Sequence, residues 1–487
     1  MDITTRLANV DAASVWHHFR NIAGIPHPSG HEEALCQYII NVAGKKQLKW
    51  KQDKVGNLVV YKPGTAGYET SPVIILQSHL DMVPEKTRDS LHDFRVDGIQ
   101  LKIDGEWLIA TDTTLGADNG IGVAAMLAVL ESSDVCHGPL EALFTVTEET
   151  TMAGAQGLDP SLLSGTVLLN LDTEEDGSLY IGCAGGVNIE VRHECAMEPA
   201  PHNDHQWFEL QVSGLQGGHS GCDIHFQRAN AIQVLARVLK TLHPFEFRLS
   251  HCQGGVLDNA IPREASAVIG LPADRIEKAL QSIDNVDQLL KRELSAVEPD
   301  ICLTFEPAVT PAHVFTASDQ KQWLNALHSC HHGVKRYSDH FAGVVETSNN
   351  LGVLSMKDGL ISVDCFTRSL VDSATVELAD NISGLFSLTG VDVRQVGFFP
   401  GWKPNPNSDV LKRVSAVYQQ LNGEEPEIKI IHAALECGIL SAAKPGLDMI
   451  SFGPQIENAH TPRERVRIDS VDRFWALLKA TLTGLVS

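Results

Sequence analysis

Five short segments of the chain place histidine or carboxylate side chains beside glycine or at an apparent strand end. They are His79 and Asp81 in SHLDMV, Asp118 in LGADNGIG, Glu148 and Glu149 in VTEET, Asp172 in LNLDTEE, and His460 in ENAHTPRE. Two histidines and three carboxylates could hold two metal ions, and two further acids would remain for proton transfer. This inventory predicts a two-metal hydrolase.

The first segment follows the apolar run VIILQ, which is typical of a buried strand. Residues two apart on an extended chain point to the same side, so His79 could face a metal ion with Asp81 close behind it. A metal-bound imidazole commonly donates its other N–H to a carboxylate. An ordinary histidine and aspartate at a strand end are the alternative.

The next two segments offer a bridging acid and a pair of adjacent acids. Asp118 lies among glycines, which let the backbone approach a ligand closely, and just before a predicted helix. Its carboxylate could use both oxygens to bridge two cations, or it could simply cap the helix. Glu148 and Glu149 follow an apolar run and, as neighbours on an extended chain, point in opposite directions. One could bind metal while the other serves proton transfer; two solvated loop acids are the alternative.

The last two segments are weaker signals when each is taken alone. Asp172 ends a further apolar run, and the carboxyl ends of strands are where open α/β sheets place their sites. It also fits a common acidic loop, and His460 fits a surface loop after SFGPQ. The order of all five segments along the chain therefore carries more information than any one of them.

Composition limits the classes of partner and compartment. The chain has 487 residues, enough for two domains, with 43% hydrophobic and 20% charged residues. The formal net charge of −23 argues against a nucleic acid or an anionic membrane as partner, because both need a basic face. No apolar run approaches the ~20 residues of a membrane span. The N-terminal sequence lacks the pattern of a secretory signal, and the ten cysteines include no C-x-x-C pair. We therefore expect a cytoplasmic protein.

Hydrophobic patterning predicts an α/β fold with two domains. Short apolar runs that fit strands buried on both faces lie at 73–76, 140–146 and 167–171. Helices are predicted within 11–46 and at 229–242, 274–294, 317–330, 374–387 and 470–485. None of the metal-ligand candidates falls in the middle of the chain. We therefore predict a mixed-sheet catalytic domain in two parts, 1–186 and 401–487, interrupted by an inserted α+β lid domain, 187–400.

In sequence order, HLDMV, GADNGIG, TEE, LD and ENAHTP resemble the metallopeptidase family that includes aminoacylase, glutamate carboxypeptidase and carnosinase. The resemblance covers the whole chain, and the long inserted segment with HAALECGIL favours the dipeptidase branch. It implies two divalent ions per chain bridged by Asp118. His79 and Asp172 would complete one metal site, and Glu149 and His460 the other. Zinc is the expected metal, with cobalt or manganese as alternatives.

The same resemblance implies roles for the remaining acids. Asp81 would orient His79, and Glu148 would be the general base. A cis peptide bond would follow Asp118. In this family an aspartate at the position of Asp172 accompanies enzymes that need a free substrate amine.

Three residues of the inserted segment are implied to bind substrate. His219 in GLQGGHSG matches a lid histidine that reaches the scissile carbonyl, and Asn259 in DNAIPRE matches a substrate-binding asparagine. Arg368 in VDCFTRSL matches an arginine that can hold the substrate's C-terminal carboxylate bidentately. A turn histidine, a turn asparagine and a strand-surface arginine are the alternatives from the residues alone.

The expected activity is hydrolysis of small unblocked dipeptides, with broad specificity that includes Xaa-His, by metal-activated hydroxide. An N-acyl amino acid deacylase or a tripeptidase of the same family is the nearest alternative. A non-catalytic metal-binding scaffold is disfavoured because Glu148 is present beside all five ligand candidates. Other hydrolase motifs fit poorly, since H-E-x-x-H is absent and GGHSG lacks the spacing of G-x-S-x-G. A homodimer remains open.

Overall fold

The computed structural model describes residues 3–202 and 204–486, and the chain divides by its contacts into two compact units. The first is formed by Met1–Gly182, Pro404–Ile430 and Leu435–Ser487, and the second by Cys183–Lys403 and Ile431–Ala434. Residues 431–434 thus belong to the second unit, whereas the sequence assigned them to the catalytic domain. The further expectation that the two units act as catalytic and lid domains stays a prediction.

In both units the helices lie between strands along the chain. In chain order they are α1 (Ile3–Leu7), α2 (Ala13–Ala23), α3 (Glu33–Lys45), α4 (Ala117–Glu131), α5 (Glu148–Thr151), α6 (Ala153–Gln156), α7 (Ala231–Thr241), α8 (Ile276–Glu293), α9 (Ala317–Ser329), α10 (Asp372–Ser387), α11 (Asp409–Asn422), α12 (Glu436–Ala443) and α13 (Ile468–Gly484).

The strands form one large sheet in each unit and smaller sheets beside them. They are β1 (Lys49–Gln52), β2 (Leu58–Lys62), β3 (Ile74–His79), β4 (Leu101–Asp104), β5 (Trp107–Ala110), β6 (Leu140–Thr145), β7 (Val167–Asn170), β8 (Ser178–Cys183), β9 (Gly185–Glu194), β10 (Met197–Pro199), β11 (His205–Ser213), β12 (Gly218–His219), β13 (Arg248–Gly254), β14 (Ala260–Ile261), β15 (Ala265–Pro272), β16 (Cys302–Pro307), β17 (His313–Phe315), β18 (Gly333–Tyr337), β19 (Val345–Lys357), β20 (Leu360–Ser369), β21 (Val393–Phe399), β22 (Glu427–Ile431), β23 (Asp448–Ser451), β24 (Ile456–Glu457) and β25 (Arg465–Arg467).

The large sheet of the first unit is mixed, in the order β1-β2-β6-β3-β7-β23-β8-β22. Its central strands β6, β3, β7 and β23 run parallel, and β1 and β2 add an antiparallel edge. Every residue of β3 and β6 is buried, as their largely apolar sequences favour for strands covered on both faces. Because parallel strands end on the same edge, the segments after β3, β6 and β7 meet there.

Helix α4 lies against this sheet and is itself almost wholly buried. Its sequence of alanine, glycine and aliphatic residues has no polar face, which is what a helix enclosed on all sides requires. The backbone is non-helical at Asp118 and Asn119, and the peptide bond between them is cis, as the resemblance implied. Asp118 therefore lies at the start of a buried helix.

The second unit is built on an antiparallel sheet in the order β16-β11-β15-β13-β19-β20-β9-β21, with β18 paired to β19. Helices α7, α8, α9 and α10 contribute buried apolar faces to its core. Helix α7 begins after Asn230, whose Oδ1 accepts hydrogen bonds from the N–H groups of Ile232 and Gln233. The ribbon of β12 and β14 carries the GGHSG segment.

The predicted fold class is confirmed, since the first unit is α/β with a mixed sheet and the second is α+β. The predicted helices of the middle segment all occur, within two residues or so of their expected bounds. Strands such as β1, whose four residues are all exposed, were not predicted because they lack a buried face. Among the described residues no helix is long and apolar enough to cross a membrane.

Candidate metal centre

Five segments of the first unit bring the predicted ligands to one edge of its sheet. His79 is the last residue of β3, Glu149 lies in α5 just after β6, and Asp172 follows β7. Asp118 enters from the start of α4, and His460 from the loop between β24 and β25. The motifs that follow β3, β6 and β7 therefore cluster because these parallel strands end at the same edge of the sheet.

Asp118 lies between the two histidines. Its Oδ1 is 3.1 Å from Nε2 of His79, and its Oδ2 is 3.0 Å from Nε2 of His460. Asp172 Oδ1 lies 3.4 Å from the same His79 nitrogen, and Glu149 Oε2 lies 3.0 Å from the same His460 nitrogen. The ring nitrogens and carboxylate oxygens thus form two groups of three that share Asp118, with ligand atoms within 4.8 Å of one another.

The donors in these groups suit divalent cations. Imidazole nitrogen and carboxylate oxygen are the ligands that zinc, manganese and cobalt accept. Oε1 of Glu149 is buried and has no hydrogen-bond partner among the described residues, which leaves an acceptor for a cation. A third group, formed by His79, Glu148 and Glu149, also satisfies the distance criterion. Glu148 therefore borders the same space.

Asp81 has a second task that the sequence did not reveal. Nδ1 of His79 is 3.0 Å from the main-chain oxygen of Asp81 and 3.5 Å from its carboxylate, so the carbonyl is the nearer acceptor. The carboxylate itself accepts hydrogen bonds from the backbone N–H groups of Glu148, at 2.9 Å, and Glu149, at 3.1 Å. The Ser29 hydroxyl donates a further bond of 2.7 Å. Asp81 thus holds both the histidine and the pair of acids.

The acids of the cluster repel one another strongly. Burial raises the pKa of Glu148 well above its usual value, and the nearby Asp172, Glu436 and Glu149 charges add to this while His79 opposes it. Hydrogen bonds that His460 donates to the carboxylates of Asp118 and Glu149 raise the pKa of His460 to about 11. The same carboxylates favour any positive charge placed among them. The field of the cluster is therefore that of a cation site.

His219 lies in the second unit with a defined ring orientation. Its Nδ1 accepts hydrogen bonds from the backbone N–H groups of Gly221, at 3.2 Å, and Cys222, at 3.0 Å. Burial lowers the pKa of His219, the Arg368 charge lowers it further, and Asp223 opposes them. A neutral ring that accepts at Nδ1 carries its hydrogen on Nε2. His219 is therefore prepared to donate from Nε2.

Arg368 and Asn259 lie in the same unit as His219. The Arg368 guanidinium is buried, stacks over the Phe366 ring at 4.2 Å, and has an Nε without a partner among the described residues. Burial lowers the pKa of Arg368 to about 10. Asn259 is exposed, and its main-chain oxygen accepts a bond of 2.8 Å from the N–H of Ser220, beside His219. A buried, incompletely paired guanidinium is the feature of an anion-binding group.

Sequence reasoning missed His432 in this group. It belongs to the short 431–434 segment, and its Nε2 lies 2.8 Å from the Ser348 hydroxyl. Burial lowers the pKa of His432 to about 3, and the charge of Arg368 contributes. The ring is thus neutral beside the guanidinium. The segment HAALECGIL begins at His432, but it was used only to favour one branch of the family and no role was predicted for the histidine.

An α/β sheet that gathers imidazole and carboxylate ligands around one shared aspartate is the arrangement of a two-metal hydrolase. The chain belongs to peptidase family M20/M25/M40, whose model matches residues 75–483. It is 42% identical over 479 residues to the cytosol non-specific dipeptidase of Escherichia coli K12, covering 98% of this chain and 99% of that protein.

Solved structures agree with this family. The aminoacylhistidine dipeptidase of Vibrio alginolyticus matches with a TM-score of 0.93 and 42% identity, covering 98% of this chain and 97% of that one. A tripeptidase from Staphylococcus aureus matches with a TM-score of 0.55 and 15% identity over 98% of this chain and 99% of that one, a likeness that concerns the fold alone. The tripeptidase alternative gains no support from it.

Proposed function

We propose that the chain is a cytoplasmic metallo-dipeptidase that hydrolyses unblocked dipeptides, Xaa-His substrates included, with two divalent ions of which zinc is the expected metal. The observation that carries the proposal is the position of Asp118, each of whose oxygens faces a different histidine. Identity of 42% along almost the whole chain with dipeptidases of E. coli and V. alginolyticus supports the substrate class and the compartment.

The proposed ligand sets are His79, Asp118 and Asp172 for one ion, and Asp118, Glu149 and His460 for the other. Ions held there would polarise the scissile carbonyl and lower the pKa of a water molecule to near neutral. Three carboxylates offset most of the charge of two divalent ions, which suits transient binding of an anionic species. Asp81 keeps His79 and the two glutamates in place by the hydrogen bonds described above.

Glu148 is the proposed general base. Its neighbour Glu149 is engaged with His460, so the two adjacent acids have different partners. Burial raises the pKa of Glu148 well above its usual value, which makes its carboxylate a stronger base. It would accept the proton of the attacking water and pass it to the leaving amine nitrogen.

The substrate-binding roles are assigned to the second unit. His219 would donate from Nε2 to the scissile carbonyl oxygen as negative charge develops there. Arg368 would hold the C-terminal carboxylate of the dipeptide, which supplies the partner that its buried Nε lacks among the described residues. Asn259 would contribute a hydrogen bond to the substrate backbone. A clamp on the C-terminal carboxylate would select peptides by that free group.

The test is a substrate panel with protein whose metal content has been measured. Ala-His, β-Ala-His, a tripeptide and an N-acetyl amino acid are compared after loading with zinc, manganese or cobalt. We expect turnover of the dipeptides and little of the other two. Good turnover of the N-acetyl amino acid alone would reject the dipeptidase, and turnover of the tripeptide alone would favour the tripeptidase alternative.

A further inference from the structure

Glu464 is a buried acid of the first unit that the proposed reaction does not use. It is 3% exposed, and its carboxylate accepts four backbone hydrogen bonds from one continuous segment. Oε2 accepts from the N–H groups of Leu115, at 2.7 Å, and Gly116, at 3.1 Å. Oε1 accepts from those of Ala117, at 2.7 Å, and Asp118, at 3.3 Å. One side chain thus fixes the backbone that leads into Asp118.

Glu464 itself belongs to the loop that carries His460, so its hydrogen bonds connect two segments. It lies four residues after His460, and its own N–H donates to the main-chain oxygen of Thr461 at 2.9 Å. Strand β25 begins at the next residue and pairs with β5 and β24. The carboxylate therefore joins the loop that carries His460, anchored in a small sheet, to the start of the helix that carries Asp118.

We propose that Glu464 is a positioning residue that sets the separation of Asp118 and His460 before a cation binds. The proposal rests on the metal assignment made above, in which these two residues share one ion. Their side chains meet at 3.0 Å although they are 342 positions apart, so some contact other than the local chain must hold the two segments together. The four backbone bonds of Glu464 join the two segments directly, beside the pairing of β25 with β5.

A carboxylate is the group that this task requires. Two of the four N–H groups precede α4 and the other two belong to its first, irregular residues, so none has a carbonyl of the helix itself to donate to. Bonds from N–H to an ionised carboxylate are stronger than neutral ones, and four of them partly offset the cost of burying the acid. A glutamine would turn an NH₂ group towards two N–H donors, and an aspartate is one methylene shorter.

Glu141 offers a matched control in the same unit. It is also buried, 4% exposed, and its carboxylate accepts from the backbone N–H and hydroxyl of Ser164 and from the N–H of Gly165. It lies near the start of β6, at the end of that strand opposite to the metal ligands. The E141Q variant therefore removes a similar buried carboxylate without touching the Asp118 segment.

The first measurement uses the full-length protein without metal. Hydrogen exchange at the amides of residues 115–118 is compared among the wild type, E464Q and E141Q. We expect these amides to exchange faster in E464Q alone. Unchanged protection in E464Q would overturn the proposal, and so would an equal loss of protection in E141Q, which would mean a general loosening of the fold.

The second measurement is titration of each metal-free protein with Co²⁺, followed by calorimetry and by the visible absorption of the bound ion. We expect E464Q to bind one of the two ions roughly 10–100-fold more weakly, with an altered absorption spectrum, as for other residues that orient ligands. Equal affinities and spectra in E464Q and the wild type would overturn the proposal. If E464Q does not fold, E464D replaces it, with the same expected order of effects.

The outcomes separate this inference from the proposed function. Loss of Co²⁺ affinity and amide protection in E464Q supports the positioning role whether or not any dipeptide is cleaved. A D118N variant that still binds two ions would instead refute the metal assignment. Absence of dipeptide turnover in fully loaded wild-type protein would refute the proposed activity and leave the role of Glu464 standing.

Discussion

The carboxylate of Asp81 accepts a hydrogen bond of 2.9 Å from the backbone N–H of Glu148. This contact links the segment after β3 to the segment after β6, and a second bond to the N–H of Glu149 reinforces it. The main-chain oxygen of the same aspartate is the nearest acceptor to His79 Nδ1. Asp81 thus fixes the position of a proposed metal ligand, His79, relative to the proposed base, Glu148.

Replacing Asp81 with asparagine tests this positioning role. The amide offers an NH₂ group to backbone N–H donors that need an acceptor, so Glu148 should lose its fixed position. We expect kcat for dipeptide hydrolysis to fall by roughly 10–100-fold, as for other groups that orient ligands. S29A removes only the hydroxyl donor at 2.7 Å and should have a much smaller effect. Equal activity of D81N and the wild type would contradict the assigned role.

The two adjacent glutamates should respond differently to the same change. E148Q should bind two metal ions and lose about 10²–10⁴-fold in kcat, the usual contribution of a general base. E149Q should instead bind one ion more weakly, because Glu149 faces His460 at 3.0 Å. Metal content by elemental analysis and kcat at saturating dipeptide distinguish the two. A fully active E148Q would show that the base is another residue.

Arg368 should govern recognition of the substrate carboxylate. In R368Q we expect kcat/KM for a free dipeptide to fall roughly 30-fold or more. This corresponds to a loss of about 2 kcal/mol in transition-state stabilisation, because a buried charge pair is lost. The same dipeptide with an amidated C-terminus should be a poor substrate of the wild type and show little further loss in R368Q. R192Q is the control, since Arg192 is exposed and pairs with Asp364. Equal losses with both substrates would place Arg368 elsewhere in the reaction.

His332 should make the second unit sensitive to acid. Burial lowers its pKa from 6.5 to about 3, and the charge of His331 contributes. Below pH 6.5 the unfolded chain binds a proton that the folded chain refuses, so stability is full above pH 6.5 and falls as the pH drops towards 3. At pH 5 the loss is about 2 kcal/mol.

Urea unfolding of metal-free protein at pH 7 and pH 5 measures this effect. The H332Q variant should lose less stability than the wild type between the two values, and H340Q, at an exposed histidine, should behave as the wild type does. The same loss in all three proteins would mean that other groups cause the acid sensitivity. Removing the metal from every sample prevents a change in metal affinity from entering the comparison.

Local sequence predicted the elements that position the site because the hydrophobic pattern of each element is contained within its own residues. Largely apolar runs predicted the buried strands β3 and β6, and the amphipathic spacing of α7 predicted its buried face. Exposed strands such as β1 carry no such pattern and were not predicted. The placement of 431–434 in the second unit was also missed, because it depends on the path of the chain and not on these four residues.

The sequence by itself determined the inventory of the site: which residue types are present, their order, and the strand ends on which they lie. Only the tertiary structure decided which oxygen of Asp118 faces which histidine, and that Asp81 holds Glu148 as well as His79. It also decided that Glu464 accepts hydrogen bonds from the backbone before Asp118, although Glu464 and Leu115 are 349 residues apart in the chain. Hydrogen bonds depend on distances of a few tenths of an ångström between segments remote in sequence, and no local pattern encodes those distances.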